Sequence, residues 1–159
     1  MATHSPARRF VLIASLLVVV VVVAGFTGPG LARADSVMEF KAHFHDFDVC
    51  DPGIHECGKG VVKGYGVART TLVFTTFVPG PEGCVTGTAD RRVWLDDGTG
   101  ALVLSIMGTI CGNKIEGTFA IAAGSGVFAG ASGEGTISGV AIPGVPGDTV
   151  HLRGKMTLP

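Results

Sequence analysis

The feature that most constrains the fold is the dipeptide Asp97-Gly98, which separates two segments of alternating apolar residues. Asp-Gly is a strong β-hairpin signal, because a two-residue type I′ turn needs positive φ at both positions. A hairpin centred there pairs Val93 with Leu102 and brings Cys84 opposite Cys111. Opposed cysteines on antiparallel strands lie within disulfide range. The register therefore predicts a Cys84–Cys111 bridge.

A second turn extends this hairpin into a three-stranded sheet. Gly112-Asn113 suits a type II′ turn, and the register that follows places Ile106 opposite Phe119. The apolar face continues onto the third strand, where a row of glycines crosses it at Gly87, Gly108 and Gly117. Glycines on an inner face permit strong curvature. A curved sheet with a continuous apolar face predicts a closed or nearly closed barrel.

The rest of the chain is also strand-like and poor in helix signals. Three of the 25 glycines lie in residues 1–34, which leaves 22 in the remainder. Each glycine inside a helix costs about 1 kcal/mol relative to alanine. Alternation predicts further strands at Val37–Phe47, Val61–Val78 (bent at Gly64 and Gly66), Gly135–Ile142 and Thr149–Leu158. The sequence thus predicts an all-β, antiparallel fold of seven or eight strands.

The N-terminus has the three parts of a secretory signal peptide. Arg8 and Arg9 precede an apolar run from Phe10 to Phe26, and Ala32-Arg33-Ala34 supplies the small-residue cleavage pattern. We predict a signal peptide over residues 1–34, forming a helix and cleaved after Ala34. The alternative is a retained membrane anchor, although the run of 17 residues is shorter than the about 20 needed to span a bilayer.

Cleavage leaves residues 35–159 as one β-barrel domain in the envelope or outside the cell. This part holds nine basic and all thirteen acidic residues, so its net charge is −4. An acidic balance argues against nucleic acid as a partner and against electrostatic binding to anionic lipid. Contact with a membrane is therefore expected only through an uncleaved N-terminal segment. The sequence carries no signal for the oligomeric state.

The two remaining cysteines flank a turn. An even cysteine count in an exported chain implies disulfide bonds, and four cysteines allow three connectivities. Cys50 and Cys57 lie on either side of Pro52-Gly53, which turns the chain between them. A short bridge closing this loop, together with Cys84–Cys111, is the favoured pairing. It leaves no free thiol for a Cys-His nucleophile.

The densest polar cluster runs from His43 to Cys57. His43 and His45 lie two residues apart on a strand and point to one side, and His55 follows in the loop. Imidazoles in this arrangement suit zinc or copper, so the three histidines are weak metal candidates. The competing interpretation is a solvated strand face followed by a disulfide loop. It is favoured, so no metal or cofactor is predicted.

The segment from Gly124 to Gly135 resembles a known glycine signature. It matches the G-T-G-x-F-x-G-A-x-G motif of the allene oxide cyclase and dirigent-like barrels, with serines at 125 and 132. Small exported bacterial proteins with this barrel share Cys57-Gly58-Lys59-Gly60 and Gly83-Cys84, so the resemblance covers residues 57–158. It implies an eight-stranded antiparallel barrel. The matching fold residues are Gly124, Gly126, Phe128, Gly130, Ala131 and Gly133.

No catalytic site emerges from the chain. The polar site of the cyclases and the catalytic aspartates of the dirigent proteins have no counterpart in the sequence. The candidate acids for the barrel lining are Glu39, Glu116 and Glu134, and of these Glu116 is predicted to face outward. We expect a structural or binding module. The alternative is a small apolar ligand in a lumen that small residues such as Ala89 and Ala123 leave open. A cyclase or isomerase is less favoured.

Overall fold

The computed structural model describes residues 35–51, 53–141 and 147–159, and the predicted signal peptide lies outside them. These residues form eight strands and one short 3-10 helix, Pro81–Gly83, which lies between the third and fourth strands. The strands are β1 (Ser36–Asp51), β2 (Ile54–Val62), β3 (Gly66–Pro79), β4 (Val85–Leu95), β5 (Gly100–Cys111), β6 (Lys114–Gly126), β7 (Ser132–Ala141) and β8 (Asp148–Leu158). Within the described part of the chain, no helix is long and apolar enough to cross a membrane.

The strands close into a barrel in simple chain order. Each strand pairs antiparallel with the next, and β8 pairs with β1 from Ser36–Leu158 to Asp46–Asp148. Closure removes the unpaired sheet edges that would otherwise invite association with another chain. The predicted all-β, eight-stranded antiparallel barrel is confirmed.

The register predicted for β4, β5 and β6 is also confirmed. Val93 pairs with Leu102 and Ile106 pairs with Phe119, with unbroken pairing along β4 and β5. The glycine row crosses all three strands as expected. A Cβ on Gly117 would lie 2.4 Å from the Met107 carbonyl oxygen, so only glycine allows the strands to approach this closely.

The first turn has a different structure from the predicted type I′ form. Gly98 has a φ of 74°, whereas Asp97 does not have positive φ. The Asp97 carboxylate instead accepts hydrogen bonds from the backbone N–H of Thr99 at 3.0 Å and from its hydroxyl at 2.7 Å. These bonds, the backbone one above all, hold the pKa of Asp97 below its ordinary value. The longer, side-chain-bonded loop preserves the predicted register.

The segment Val61–Val78 divides into two strands at the predicted bend: β2 ends at Val62, and a turn containing Gly64, with a φ of 85°, leads into β3. One predicted position needs correction. Ala123 does not line the lumen. A β-bulge on β6 shifts the register between Leu104–Ile121 and Val103–Ala123, and this turns Ala123 to the exposed face.

The middle of the barrel is filled with large side chains. Phe40 and Phe119 meet with ring centroids 5.5 Å apart, above two glycines, Gly135 and Gly154, which lie between them in the sheet. Other fully buried side chains include Phe44, Phe128, Leu102, Leu104, Leu152 and Met156. The lumen is therefore a packed core at this level, and any cavity must lie nearer an end.

Candidate functional site

One end of the barrel is closed by an aromatic plug. The turn between β6 and β7 carries Phe128 into the core, where it is completely buried and packs on Tyr65 with ring centroids 4.5 Å apart. The Tyr65 hydroxyl bonds to the Met38 sulfur at 3.2 Å. A Cβ on Gly124 would lie 2.0 Å from the Phe128 carbonyl oxygen. The glycine signature therefore serves to seat the plug.

The opposite end, called here the open end because the described residues place no such plug in it, carries both disulfide bonds. Cys50–Cys57 joins the end of β1 to the first half of β2, and Cys84–Cys111 joins the residue before β4 to the last residue of β5. The Cα atoms are 6.0 Å and 4.2 Å apart, and both predicted pairings are confirmed. The first bridge links two paired strands rather than closing an irregular loop. Covalent bonds thus restrain the hairpins that surround the open end.

A cavity of about 60 Å³ enters the barrel at the open end. Its walls are largely apolar and come from β3 to β8. Its polar side chains include two charged ones, Arg91 and Asp148. The apolar wall includes Leu72, Phe74, Phe77, Ile110, Ile115 and Val150. This arrangement, an apolar wall over a few polar groups, is typical of small-molecule sites.

The charged part of this site is built around a buried ion pair. Arg91 is 2% exposed and Asp46 is fully buried. The guanidinium donates to both carboxylate oxygens, with Nη1–Oδ1 at 3.0 Å and Nη2–Oδ2 at 2.7 Å. Nη1 also donates to the Thr70 hydroxyl at 3.3 Å, whereas Nε has no hydrogen-bond partner among the described residues. A bidentate pair of this kind fixes the orientation of both side chains.

Neighbouring residues make room for the pair. Asp46 lies opposite Gly58 on β2, where a Cβ would stand 2.3 Å from the Asp46 Oδ1 atom. The Arg91 guanidinium carbon lies 5.5 Å from the centre of the Phe44 ring, within range of a cation–π contact. The missing side chain of Gly58 therefore leaves room for the Asp46 carboxylate, and the Phe44 ring packs against the Arg91 guanidinium.

Two further carboxylates approach the same point. Oxygens of Asp46, Glu56 and Asp148 lie within 4.8 Å of one another. Three carboxyl groups therefore lie around one guanidinium, and hydrogen-bond acceptors outnumber the charged donor. A divalent cation there would compete with Arg91 for both Asp46 oxygens. The arrangement therefore fits a hydrogen-bond donor or an organic cation better than a metal.

The histidines considered for metal binding lie in three different settings. His43 stacks on His151 of β8, with ring centroids 4.4 Å apart. The His45 Nδ1 atom lies 3.3 Å from the Thr149 hydroxyl, and His55 accepts a hydrogen bond from the backbone of Phe74. Among the described residues, the three-membered group with metal-ligand spacing is the acidic one and contains no histidine. The structure does not bring His43, His45 and His55 together.

The lumen acids differ from those considered in the sequence. Glu39, Glu116 and Glu134 are all exposed on the outer face, whereas Asp46, Glu56 and Asp148 lie inside. The alternation of inward and outward residues along β1 and β4 could have identified Asp46 and Arg91 as inward-facing. Arg91 lies midway between the inward residues Val93 and Ala89, and Asp46 continues the inward series of Phe40, Ala42 and Phe44. Opposite charges at two inward positions predict a buried pair.

No known protein family profile matches this chain, and no curated protein matches it. The fold and the site together define a closed eight-stranded antiparallel barrel with one plugged end and one open end. The open end holds a small apolar cavity above a buried Arg91–Asp46 pair.

Proposed function

We propose that this protein is an exported binding module that holds one end of a small, largely apolar molecule in the open end of its barrel. The observation that carries the proposal is the apolar cavity above Arg91 and Asp148. Export is supported by the leader predicted over residues 1–34 and by two disulfide bonds, which are typical of oxidising compartments. Membership of the allene oxide cyclase and dirigent-like barrels is part of this proposal.

The size of the cavity limits what enters it. About 60 Å³ accommodates roughly four water-sized groups, so only the end of a chain or ring fits inside. The remainder of the ligand lies against the rim, where Phe77 is 55% exposed and Ile110 and Ile115 are partly exposed. The ligand is therefore held by its end rather than enclosed by the lumen.

The charges at the bottom of the cavity select the end group. Three carboxyl groups lie around one guanidinium, so the site offers mostly acceptors, and a hydroxyl or ammonium end group that donates hydrogen bonds is favoured over an anionic one. A hydroxyl donates to a carboxylate such as Asp148 and accepts from the Arg91 Nε, for which the described residues offer no partner. The expected ligand combines an apolar body with one such terminal group.

Three probes of equal chain length test this preference. Isothermal titration calorimetry with octanol, octylamine and octanoate should detect binding of the first two and much weaker binding of octanoate. Ile115→Trp fills the rim and should abolish the signal, whereas Met107→Trp, on the outer wall where Met107 is 60% exposed, should leave it unchanged. Absence of binding for all three probes, or binding that survives Ile115→Trp, contradicts the proposal. Native mass spectrometry of protein from its own host then identifies a retained ligand.

A cyclase-type enzyme is the second candidate. It is favoured by the buried carboxyl oxygens of Glu56 and Asp148, because cyclisation in an apolar lumen needs an inward acid or base. An allene oxide, the compound for which the resembling family is named, is the substrate to test. Glu56→Gln, at a residue that does not line the cavity, should remove turnover and leave octanol binding in place. Binding without turnover in the unaltered protein supports the binding module alone.

A further inference from the structure

Charge is distributed unevenly over the barrel. The outer wall formed by β8, β1, β2 and β3 is called here the basic wall. Its described outward residues include one carboxylate, Glu39. The stretches considered are Val37 to Phe47, Cys57 to Lys63, Val67 to Thr71 and Thr149 to Thr157. The same stretches carry six of the nine cations of residues 35–159: Lys41, Lys59, Lys63, Arg69, Arg153 and Lys155. The net charge of −4 therefore does not describe this wall, where cations are in local excess.

Three of these cations form a line across neighbouring strands. Lys41 and Arg153 are register partners on β1 and β8. The backbone N–H of Lys63 donates to the Lys41 carbonyl at 2.9 Å, which places a third cation beside them at the end of β2. Like charges directly opposite each other destabilise a sheet. Such a line is therefore explained better by an anion bound from outside than by stability.

The line borders a shallow groove of about 210 Å³. Lys41, Lys63 and Arg153 lie along it with His43, His151 and Val61. The two imidazoles stack with an interplanar angle of 7° and offer ring nitrogens beside the cations. Glu39 forms an ion pair with Lys41, and no such pair exists for Lys63 or Arg153 among the described residues.

The carboxylate of Glu39 lies beside these cations, and its pKa is affected by them. Its pKa is lowered chiefly by the hydrogen bond from Lys41, with further attraction from Lys41, Lys63 and Arg153. The Glu39 side chain is 61% exposed, and the partial desolvation that raises its pKa is outweighed by the bond from Lys41 and the nearby cations. The cations therefore act together on a negative group at this groove.

We propose that the basic wall binds a linear, phosphate-bearing polymer along the groove of Lys41, Lys63 and Arg153. Adjacent strands are about 4.8 Å apart, so three cations across three strands span roughly 10 Å. Lys59 is a further cation of the same wall, whereas Arg69 forms an ion pair with Asp96 at 3.0 Å. Repeated phosphates on a flexible chain match this spacing. A bilayer is a poorer fit because the groove is lined by valine and histidine rather than by an exposed aromatic side chain that enters lipid.

Long-chain inorganic polyphosphate is the probe, and two double variants with the same charge change are compared. Lys63→Gln/Arg153→Gln removes groove cations, whereas Arg92→Gln/Lys114→Gln removes exposed cations outside the groove. The groove variant should weaken binding at least about tenfold. It should also reduce the slope of log K against log salt by about 1.4, from two lost phosphate contacts at about 0.7 each. The control should change affinity less than about threefold.

A charge-conserving double variant, Lys63→Arg/Arg153→Lys, separates loss of charge from disturbance of the wall. It should bind polyphosphate like the unaltered protein, and all variants should keep the melting temperature. Equal weakening by both glutamine doubles reduces the effect to net charge and overturns the proposal. So does tighter binding to phosphatidylglycerol vesicles than to polyphosphate at equal phosphate, or no polyphosphate binding at low salt.

Discussion

Removal of Arg91 tests whether the buried ion pair holds the open end together. Arg91→Met keeps the length and apolar stem of the side chain and deletes the guanidinium that bonds both Asp46 oxygens. Asp46 is fully buried, so its carboxylate is left without the bidentate partner and beside two further acids. Breaking a buried pair from one side costs about 3–5 kcal/mol. For a domain of this size, that lowers the melting temperature by about 10–20 °C.

Arg92→Met is the matched control, because Arg92 is the next residue on β4 and its side chain is exposed. It should change the free energy of unfolding by less than about 0.5 kcal/mol. Urea denaturation of both variants and of Asp46→Asn, alone and combined with Arg91→Met, completes the experiment. The combined variant should lose less stability than the sum of the single ones, by about 1–3 kcal/mol. If Arg91→Met is no more destabilising than Arg92→Met, the reasoning is refuted.

Three further results are expected. Replacing both cysteines of the Cys84–Cys111 bridge by serine should lower the free energy of unfolding by about 3.6 kcal/mol, because the bridge closes a loop with a sequence separation of 27. The same change at Cys50–Cys57, with a separation of 7, should lower it by about 2.4 kcal/mol. Equal losses in urea denaturation would count against this loop-entropy explanation. Phe128→Ala should cost about 3–5 kcal/mol by loss of the plug, and Val127→Ala, beside it but exposed, less than about 0.5 kcal/mol. Because the pKa of Asp97 is lowered in the folded state, its carboxylate contributes stability above the ordinary pKa of 3.8, and this contribution is lost as pH falls through the folded-state pKa. The difference in unfolding free energy between the unaltered protein and Asp97→Asn should therefore shrink on acidification. A difference that does not depend on pH contradicts this.

Much of the barrel was accessible from local sequence patterns. Turn chemistry and strand alternation predicted the register of β4, β5 and β6 and with it the Cys84–Cys111 bridge. The turn at Asp97 illustrates the limit, because the register held although the turn conformation was wrong. Alternation is insensitive to how the turn is made, whereas a carboxylate bonded to Thr99 depends on the placement of individual atoms.

The candidate site was only partly accessible. The inward orientation of Asp46 and Arg91 follows from alternation on their own strands, but their meeting does not. They lie 45 positions apart on β1 and β4, strands that do not pair, so contact arises only across the lumen of the closed barrel. The gathering of Glu56 and Asp148 at the same point depends on closure in the same way.

The sequence by itself determined the all-β class, the hairpin registers and the two disulfide bonds, because these depend on neighbours along one strand or across one turn. Only the tertiary structure decided which acids are inside, which end is plugged and where the cations align. Those properties depend on closing β8 onto β1, which sets Asp148 beside Asp46 within and Arg153 beside Lys41 outside. Closure thus created both the acidic interior of the open end and the positive wall behind it.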